Sequence, residues 1–146
     1  MDTKTRASIL KEARTWIGVS FHHKGQTRAG VDCGGFIQAV YCQFIPLKPF
    51  PDCYAQDWGV HKDNNEIYLE HISEYVTEVL LPVPAGLAVF KFGRSFCHGA
   101  ICTEKGTFIH AKGRTGAGAV VETRITEFYR QGKLVPVKYF DLKTNG

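Results

Sequence analysis

Apolar positions divide the chain into a helical first half and a strand-rich second half. In the first half, apolar residues recur every three or four positions, which is the spacing of one face of a helix. This spacing predicts helices over Thr5–Trp16, from Asp32-Cys33 to Gln43, and over Glu66–Tyr75. Gly18 is expected to end the first helix, and the prolines that follow Phe44 are expected to end the second.

After Tyr75, apolar and polar residues alternate, as they do in strands that bury one face. Six strands are predicted: Val76–Leu81, Ala88–Phe92, Gly99–Thr103, Thr107–Ala111, Ala119–Arg124 and Leu134–Tyr139. Helices followed by antiparallel strands indicate an α+β fold in which N-terminal helices pack on a C-terminal antiparallel β-sheet. Because the 146 residues contain no repeat and no linker-like segment, we expect one domain over residues 1–146.

Charge and hydropathy narrow the possible partners. The net charge of +4 is small and no run of basic residues exceeds two, so a nucleic-acid partner is not expected. Charges at Asp2, Lys4 and Arg6 interrupt the segment where a signal peptide would carry its apolar core, and no apolar run is long enough to cross a membrane. We therefore expect synthesis in the cytoplasm, reduced thiols and no membrane insertion.

The most informative segment is Gly30–Phe36, which places Cys33 at the start of the second helix. Unpaired N–H groups and the helix dipole favour an anion there, so the pKa of the thiol is expected to fall. Cys33 is therefore expected to be the most reactive of the five cysteines, and its N–H is a candidate for an oxyanion hole. A buried structural cysteine in a glycine-rich turn is the alternative at this point.

Two histidines on neighbouring predicted strands are candidates for the base that a thiol nucleophile needs. His98 precedes one strand and His110 lies within the next. A three-residue loop at Thr103–Lys105 would place the two histidines directly opposite each other on one face of a hairpin. The pattern then predicts a nucleophile, a base and an orienting group from one helix end and two strands. Taken singly, each histidine is more typical of a packing residue.

Other polar motifs do not indicate a metal or a phosphate site. His22-His23, His61 and His71 lack the spacing of zinc ligands, both with one another and with cysteine. The glycine-rich segment Gly113–Gly118 lacks the Gly-Lys-Ser/Thr end of a phosphate loop and is expected to form a hairpin near the site. Neither a metal nor a cofactor is expected.

The order of these motifs resembles that of the NlpC family of papain-like cell-wall cysteine peptidases. The resemblance covers about Ile9–Ala111 and rests on four segments: Ala13–Gly18, Gly30–Phe36, Cys97–Ile101 and Phe108–Ala111. It implies a papain-like fold in which Cys33 is the nucleophile, His98 is the general base and acid, and His110 orients His98.

The resemblance also implies the residues that line the substrate site: Phe21, Asp32, Gly34 and Gly99. Two of them depart from the family pattern. Gly34 stands where the family usually has serine, and Phe21 stands where it usually has a tyrosine whose hydroxyl faces the site. Phe21 is therefore expected to form an apolar wall beside the sulfur.

For function, the resemblance implies hydrolysis of a peptide bond in bacterial peptidoglycan through a thioester, usually between γ-D-glutamate and a diamino acid. Two alternatives remain at this point: a papain-like amidase or acyltransferase that acts on another amide or a lipid, and a non-catalytic phage tail domain. A weaker resemblance, to the phage-associated branch of the family, rests on Tyr54–Trp58 followed by the helix at Glu66–Tyr75. It implies phage tail proteins as partners and a virion that delivers the chain to the cell wall.

Overall fold

The computed structural model describes residues 1–47, 67–113 and 118–143. In these ranges the chain forms the helices α1 (Thr3–Arg14), α2 (Cys33–Tyr41) and α3 (Ile67–Ile72), and a 3-10 helix over Ile125–Phe128. The strands are β1 (Gln26–Thr27), β2 (Gly30–Val31), β3 (Val76–Val79), β4 (Leu87–Phe92), β5 (Ser95–Cys102), β6 (Phe108–Lys112), β7 (Ala119–Thr123), β8 (Tyr129–Arg130), β9 (Lys133–Leu134) and β10 (Val137–Leu142). None of the helices in these ranges is long and apolar enough to cross a membrane.

Six strands form one antiparallel sheet in the order β3-β10-β4-β5-β6-β7, while β1 with β2 and β8 with β9 form two short hairpins. The predicted α+β architecture of N-terminal helices and a C-terminal antiparallel sheet is confirmed. β10 lies between β3 and β4 and pairs with both. The sheet therefore joins segments that are far apart in the sequence.

Each face of the sheet is covered by a different apolar cluster. The helices cover one face, where buried residues such as Ile9 of α1, Val40 of α2 and Ile101 of β5 belong to the main core. On the other face a smaller cluster is built around Phe90, whose ring stacks on that of Phe128 with centroids 3.7 Å apart. The 3-10 helix contributes Phe128 and so closes part of this second face.

Three predicted strands are wrong in their extent, two of them because of proline. The strand predicted over Gly99–Thr103 is β5, which begins four residues earlier, at Ser95, and so contains His98. The strand predicted over Val76–Leu81 ends at Val79, and Leu80 is 95% exposed just before Pro82. The strand predicted over Leu134–Tyr139 is divided by Pro136 into β9 and β10, since proline has no N–H with which to continue a ladder. The phage-like segment Tyr54–Trp58 lies outside the described residues.

Candidate active site

Asp32 fixes the start of α2 and the loop in front of it. Its Oδ1 accepts a hydrogen bond of 2.7 Å from the N–H of Gly35, and its Oδ2 accepts one of 2.8 Å from the N–H of Lys24. The residue is 4% exposed and adopts the extended backbone of an N-cap. Asp32 therefore holds Cys33 in the first turn of the helix, and its predicted contact with substrate stays a prediction.

The Cys33 sulfur contacts the backbone of β5 on both sides of His98. Its S–H donates to the carbonyl oxygen of Cys97 over 3.4 Å. The N–H groups of Gly99 and Gly34 are directed at the sulfur. Among the described residues, no hydrogen bond joins the sulfur to the His98 ring, so the structure brings Cys33 to the chain of His98 and not to its imidazole.

A β-bulge shapes the strand at this point. Phe90 pairs with His98 and Lys91 pairs with Phe96, which makes Cys97 the extra residue of β5. A bulge bends its strand and changes the direction of the side chains beside it, and bulges are frequent next to active sites. Here the carbonyl oxygen of the bulge residue Cys97 accepts the hydrogen bond from the Cys33 thiol, directly before the predicted base His98.

The environment of Cys33 raises the pKa of its thiol, contrary to the expectation from the helix end. Burial has the largest effect, followed by the negative charge of Asp32 and by the neighbouring Cys97. The N–H groups of Gly99 and Gly34 act in the opposite direction but do not outweigh burial. Burial, together with the Asp32 carboxylate that caps the helix, outweighs the effect of the helix N-terminus, so the thiol is protonated at neutral pH.

The two histidines form a hydrogen-bonded series with a residue of β7. His98 Nε2 lies 2.8 Å from His110 Nδ1, and the two rings are perpendicular with centroids 5.0 Å apart. On the far side, His110 Nε2 lies 2.9 Å from the hydroxyl oxygen of Thr123. The contact uses the Nε2 atom of His98 and leaves its Nδ1 as the nitrogen available for a reaction.

Both imidazoles are neutral at neutral pH. Burial, then the neighbouring His110, then Arg130 hold the pKa of His98 well below its ordinary value. Burial and, to a lesser extent, Lys112 lower the pKa of His110 to about 4. A neutral imidazole has one nitrogen that accepts a proton, which is the state that a general base requires.

The hairpin between β5 and β6 has a different register from the one predicted. Cys102 pairs with Phe108, and the N–H of Thr103 donates to the carbonyl oxygen of Thr107 over 2.9 Å. The three-residue loop is therefore 104–106, one residue later than predicted, and it ends at Gly106, whose φ of 74° glycine adopts easily. The predicted direct pairing of His98 with His110 is wrong by two residues. An even shift preserves the face, so the rings still meet, diagonally.

The contacts of Phe21 and Gly99 within the protein are clear. Their predicted roles in substrate binding stay predictions. The N–H of Phe21 donates to the carbonyl oxygen of Gly118 over 2.7 Å, and its ring borders the main core, as Cys33 does. A methyl group added to Gly99 would clash with the Tyr68 hydroxyl of α3. Gly34 is buried in the first turn of α2.

Thr123 and Tyr68 are site residues that the sequence motifs did not indicate. β7 pairs Val121 with His110, and alternation along the strand places Thr123 on the same face. Alternation along β7 could therefore have indicated Thr123, given the register of β6 and β7. Tyr68 carries no local signal, because its approach to Gly99 depends on how α3 packs on β5.

The chain is similar to known proteins in sequence and in fold. No protein-family model matches the sequence. The sequence is similar to the murein DD-endopeptidase MepS/murein LD-carboxypeptidase of Escherichia coli, with 23% identity over 131 residues. The match covers 90% of this chain but only 60% of that relative's length.

Solved structures show the same fold. The NlpC/p60 domain of the peptidoglycan hydrolase SagA has a TM-score of 0.60 at 20% identity, covering 91% of this chain and 96% of that one. The peptidoglycan hydrolase RipB of Mycobacterium tuberculosis has a TM-score of 0.61 at 14% identity, covering 99% of this chain and 70% of that one. The chain has the NlpC/p60 fold, which confirms the predicted papain-like architecture and the resemblance to the NlpC family.

Proposed function

We propose that this chain is a cysteine peptidase that hydrolyses a peptide bond in bacterial peptidoglycan, with Cys33 as nucleophile, His98 as base and His110 as orienting residue. Two observations carry the proposal: the hydrogen-bonded series His98–His110–Thr123, and a Cys33 thiol that donates to the carbonyl oxygen of Cys97, the residue before His98. The NlpC/p60 fold, which peptidoglycan hydrolases also have, supports the choice of substrate.

The hydrogen bond between His110 and Thr123 is compatible with the tautomer in which His98 Nδ1 is the basic nitrogen. When His110 Nε2–H donates to the Thr123 hydroxyl, His110 Nδ1 is an acceptor and His98 Nε2–H donates to it. His98 Nδ1 then carries the lone pair. In this tautomer His98 can accept the thiol proton. The series therefore orients the His98 ring and no proton moves along it.

In the first half of the reaction, the Cys33 side chain rotates from the Cys97 carbonyl towards His98. The thiol proton passes to His98 Nδ1, and the sulfur forms a bond to the carbonyl carbon while the carbonyl oxygen takes the electron pair. The N–H of Cys33, at the start of α2, is the candidate donor to this oxygen. His98 then gives its proton to the leaving nitrogen as the C–N bond breaks, and a thioester remains.

In the second half, water attacks the thioester carbon and gives a proton to His98. The tetrahedral species collapses, the C–S bond breaks, and the proton returns from His98 to the Cys33 sulfur. The products are a carboxylic acid and an amine, and the enzyme is regenerated. The proposed scissile bond lies between γ-D-glutamate and a diamino acid, and delivery by a virion with phage tail partners remains a separate prediction.

The test is incubation with purified peptidoglycan and defined muropeptides, followed by mass spectrometry of the products. Cys33→Ala and His98→Ala should both abolish turnover, whereas His110→Ala should leave measurable residual activity, because loss of an orienting group costs less than loss of the base. Cys42→Ala is the matched control, since it removes an exposed thiol at the other end of α2.

Four outcomes would contradict the proposal. Cleavage that survives Cys33→Ala would remove the nucleophile, and full activity of His110→Ala would remove the orienting role. Inactivity on all muropeptides together with turnover of a lipid or another amide would favour the amidase or acyltransferase alternative. Inactivity on every substrate would favour a non-catalytic domain.

A further inference from the structure

The imidazoles of His98 and His110 open onto a cleft of about 270 Å³ on the face of the sheet that carries the Phe90 cluster. Its remaining walls are two aromatic rings, two cations, one carboxylate and a glycine: Phe92, Phe128, Lys112, Arg130, Glu127 and Gly113. Cys33 does not line this cleft. The cleft therefore extends from the proposed base and not from the proposed nucleophile.

Arg130 supplies the uncompensated charge of the cleft. Lys112 forms an ion pair with Glu127, so these two charges cancel. Arg130 forms no ion pair with any described carboxylate. Its Nη1 donates to the backbone carbonyl oxygens of Glu127 over 2.9 Å and of Tyr129 over 2.7 Å, which leaves Nη2 and Nε directed elsewhere.

The position of Arg130 is fixed relative to the base by one aromatic ring. Its guanidinium carbon lies 5.2 Å from the centre of the Phe92 ring, and Phe92 contacts the His98 ring with centroids 5.7 Å apart. Arg130 is close enough to contribute to the lowered pKa of His98. Two backbone hydrogen bonds and a stacked ring hold the guanidinium before any ligand arrives, which lowers the entropy cost of binding one.

The chemistry of the reaction determines what this cleft receives. The base of a thiol peptidase gives its proton to the departing amine, so the amine side of the scissile bond must lie against His98. The cleft continues from His98 and so is the place for the leaving-group residue. Phe92 and Phe128 suit a methylene chain, and the guanidinium of Arg130 suits a carboxylate at its end.

We propose that this cleft is a subsite for a leaving-group residue whose side chain ends in a carboxylate, and that Arg130 determines this specificity. The inference rests on the proposed function and deepens it. Among the diamino acids of peptidoglycan stems, diaminopimelate has such a terminal carboxylate, and lysine does not. Arg130 therefore favours diaminopimelate stems over lysine stems and over stems in which that carboxylate is amidated.

The experiment uses three synthetic tripeptides, L-Ala-γ-D-Glu linked to diaminopimelate, to amidated diaminopimelate or to lysine. Turnover is measured with the wild-type chain, and binding is measured by calorimetry with Cys33→Ala, which separates recognition from catalysis. We expect the diaminopimelate peptide to be preferred by about tenfold or more in both assays, the size of one well-placed charged hydrogen bond. Arg130→Gln should abolish the preference, mainly through KM, and Arg130→Lys should keep part of it.

Arg124→Gln is the matched control, because it removes the same charge from an exposed position that does not line the cleft. Equal binding of the three peptides, or a preference that survives Arg130→Gln, would overturn the subsite. Cleavage without selectivity would overturn the subsite and leave the proposed function intact. Selective binding without cleavage by the wild-type chain would overturn the proposed function and leave the subsite standing.

Discussion

Two opposing influences act on the Cys33 thiol. The start of α2 favours a thiolate, and the N–H groups of Gly34 and Gly99 act in the same direction. Burial and the capping carboxylate of Asp32 oppose them and prevail, so the pKa is raised. The resting state pairs a neutral thiol with a neutral imidazole, and the reactive pair must form by proton transfer when substrate is present.

Alkylation tests this resting state. The raised pKa of Cys33 replaces the expectation from the sequence that this thiol is the most reactive one. Limiting iodoacetamide at neutral pH is expected to label the exposed Cys42 before Cys33, because the thiolate is the reactive form and Cys33 is protonated. Mass spectrometry of tryptic peptides gives the order. The labelling rate of Cys33 should still be rising at about pH 9. A plateau near pH 6, the sign of a preformed thiolate–imidazolium pair, would contradict the structure.

Thr123 gives a second prediction at this scale. Thr123→Val keeps the shape of the side chain but removes the acceptor for His110 Nε2–H, so the tautomer of the series is no longer fixed. We expect kcat on a muropeptide to fall about tenfold with little change in KM, and Thr123→Ser to restore most of it. Unchanged kcat in the valine variant would limit Thr123 to packing. NMR of the imidazole nitrogens reports the tautomer directly.

At the scale of elements, the same type of residue caps α1 and α2 in different surroundings. Asp2 accepts from Thr5 in an exposed position, whereas Asp32 is buried and holds the N–H groups of both Gly35 and Lys24. Asp2→Ala should lower the free energy of unfolding by less than Asp32→Ala does, because the Asp2 cap is exposed. Asp32→Ala should cost about 2–3 kcal/mol, because a second backbone donor loses its acceptor. Denaturant unfolding measures both, and equal costs would show that the bond to Lys24 contributes nothing.

The helices and strands also show how much of the structure could be predicted from the sequence. Helix and strand positions followed from apolar spacing, and Cys33, His98 and His110 followed from local motifs. The register of the β5–β6 hairpin was not predicted correctly, because Thr103 pairs with Thr107 and moves the loop by one residue. The direction of the pKa shift of Cys33 was not predicted correctly either, since no motif near Cys33 in the sequence shows that other segments bury the thiol. The hairpin that carries Arg130 was absent from the prediction, because its strands have only two residues each.

For the whole molecule, the buried histidine pair makes stability depend on pH. The pKa of His110 is about 4 in the folded protein and 6.5 as its ordinary value, so the unfolded chain binds more protons between these values. The stability is therefore complete above about pH 6.5 and falls by up to about 3 kcal/mol as the pH drops to about 4. His98 adds to this in the same direction.

Urea unfolding from pH 7 to about pH 4 measures the dependence. His110→Asn should flatten the slope across this window, because asparagine does not titrate. His22→Asn, which changes an exposed histidine far from this pair in the sequence, is the control for the loss of one histidine. A slope that is the same in all three proteins would show that His110 titrates alike in the folded and unfolded chains.

The place of β10 in the sheet has a consequence for synthesis. A chain leaves the ribosome from its N-terminus, and β10 follows the other described elements yet lies between β3 and β4. Until residues 137–142 have emerged, β3 has no neighbour and one edge of β4 is open. The nascent chain therefore displays unpaired apolar strand edges while Cys33, His98 and His110 are already made. The sheet that carries His98 and His110 is therefore complete only after residues 137–142 have left the ribosome.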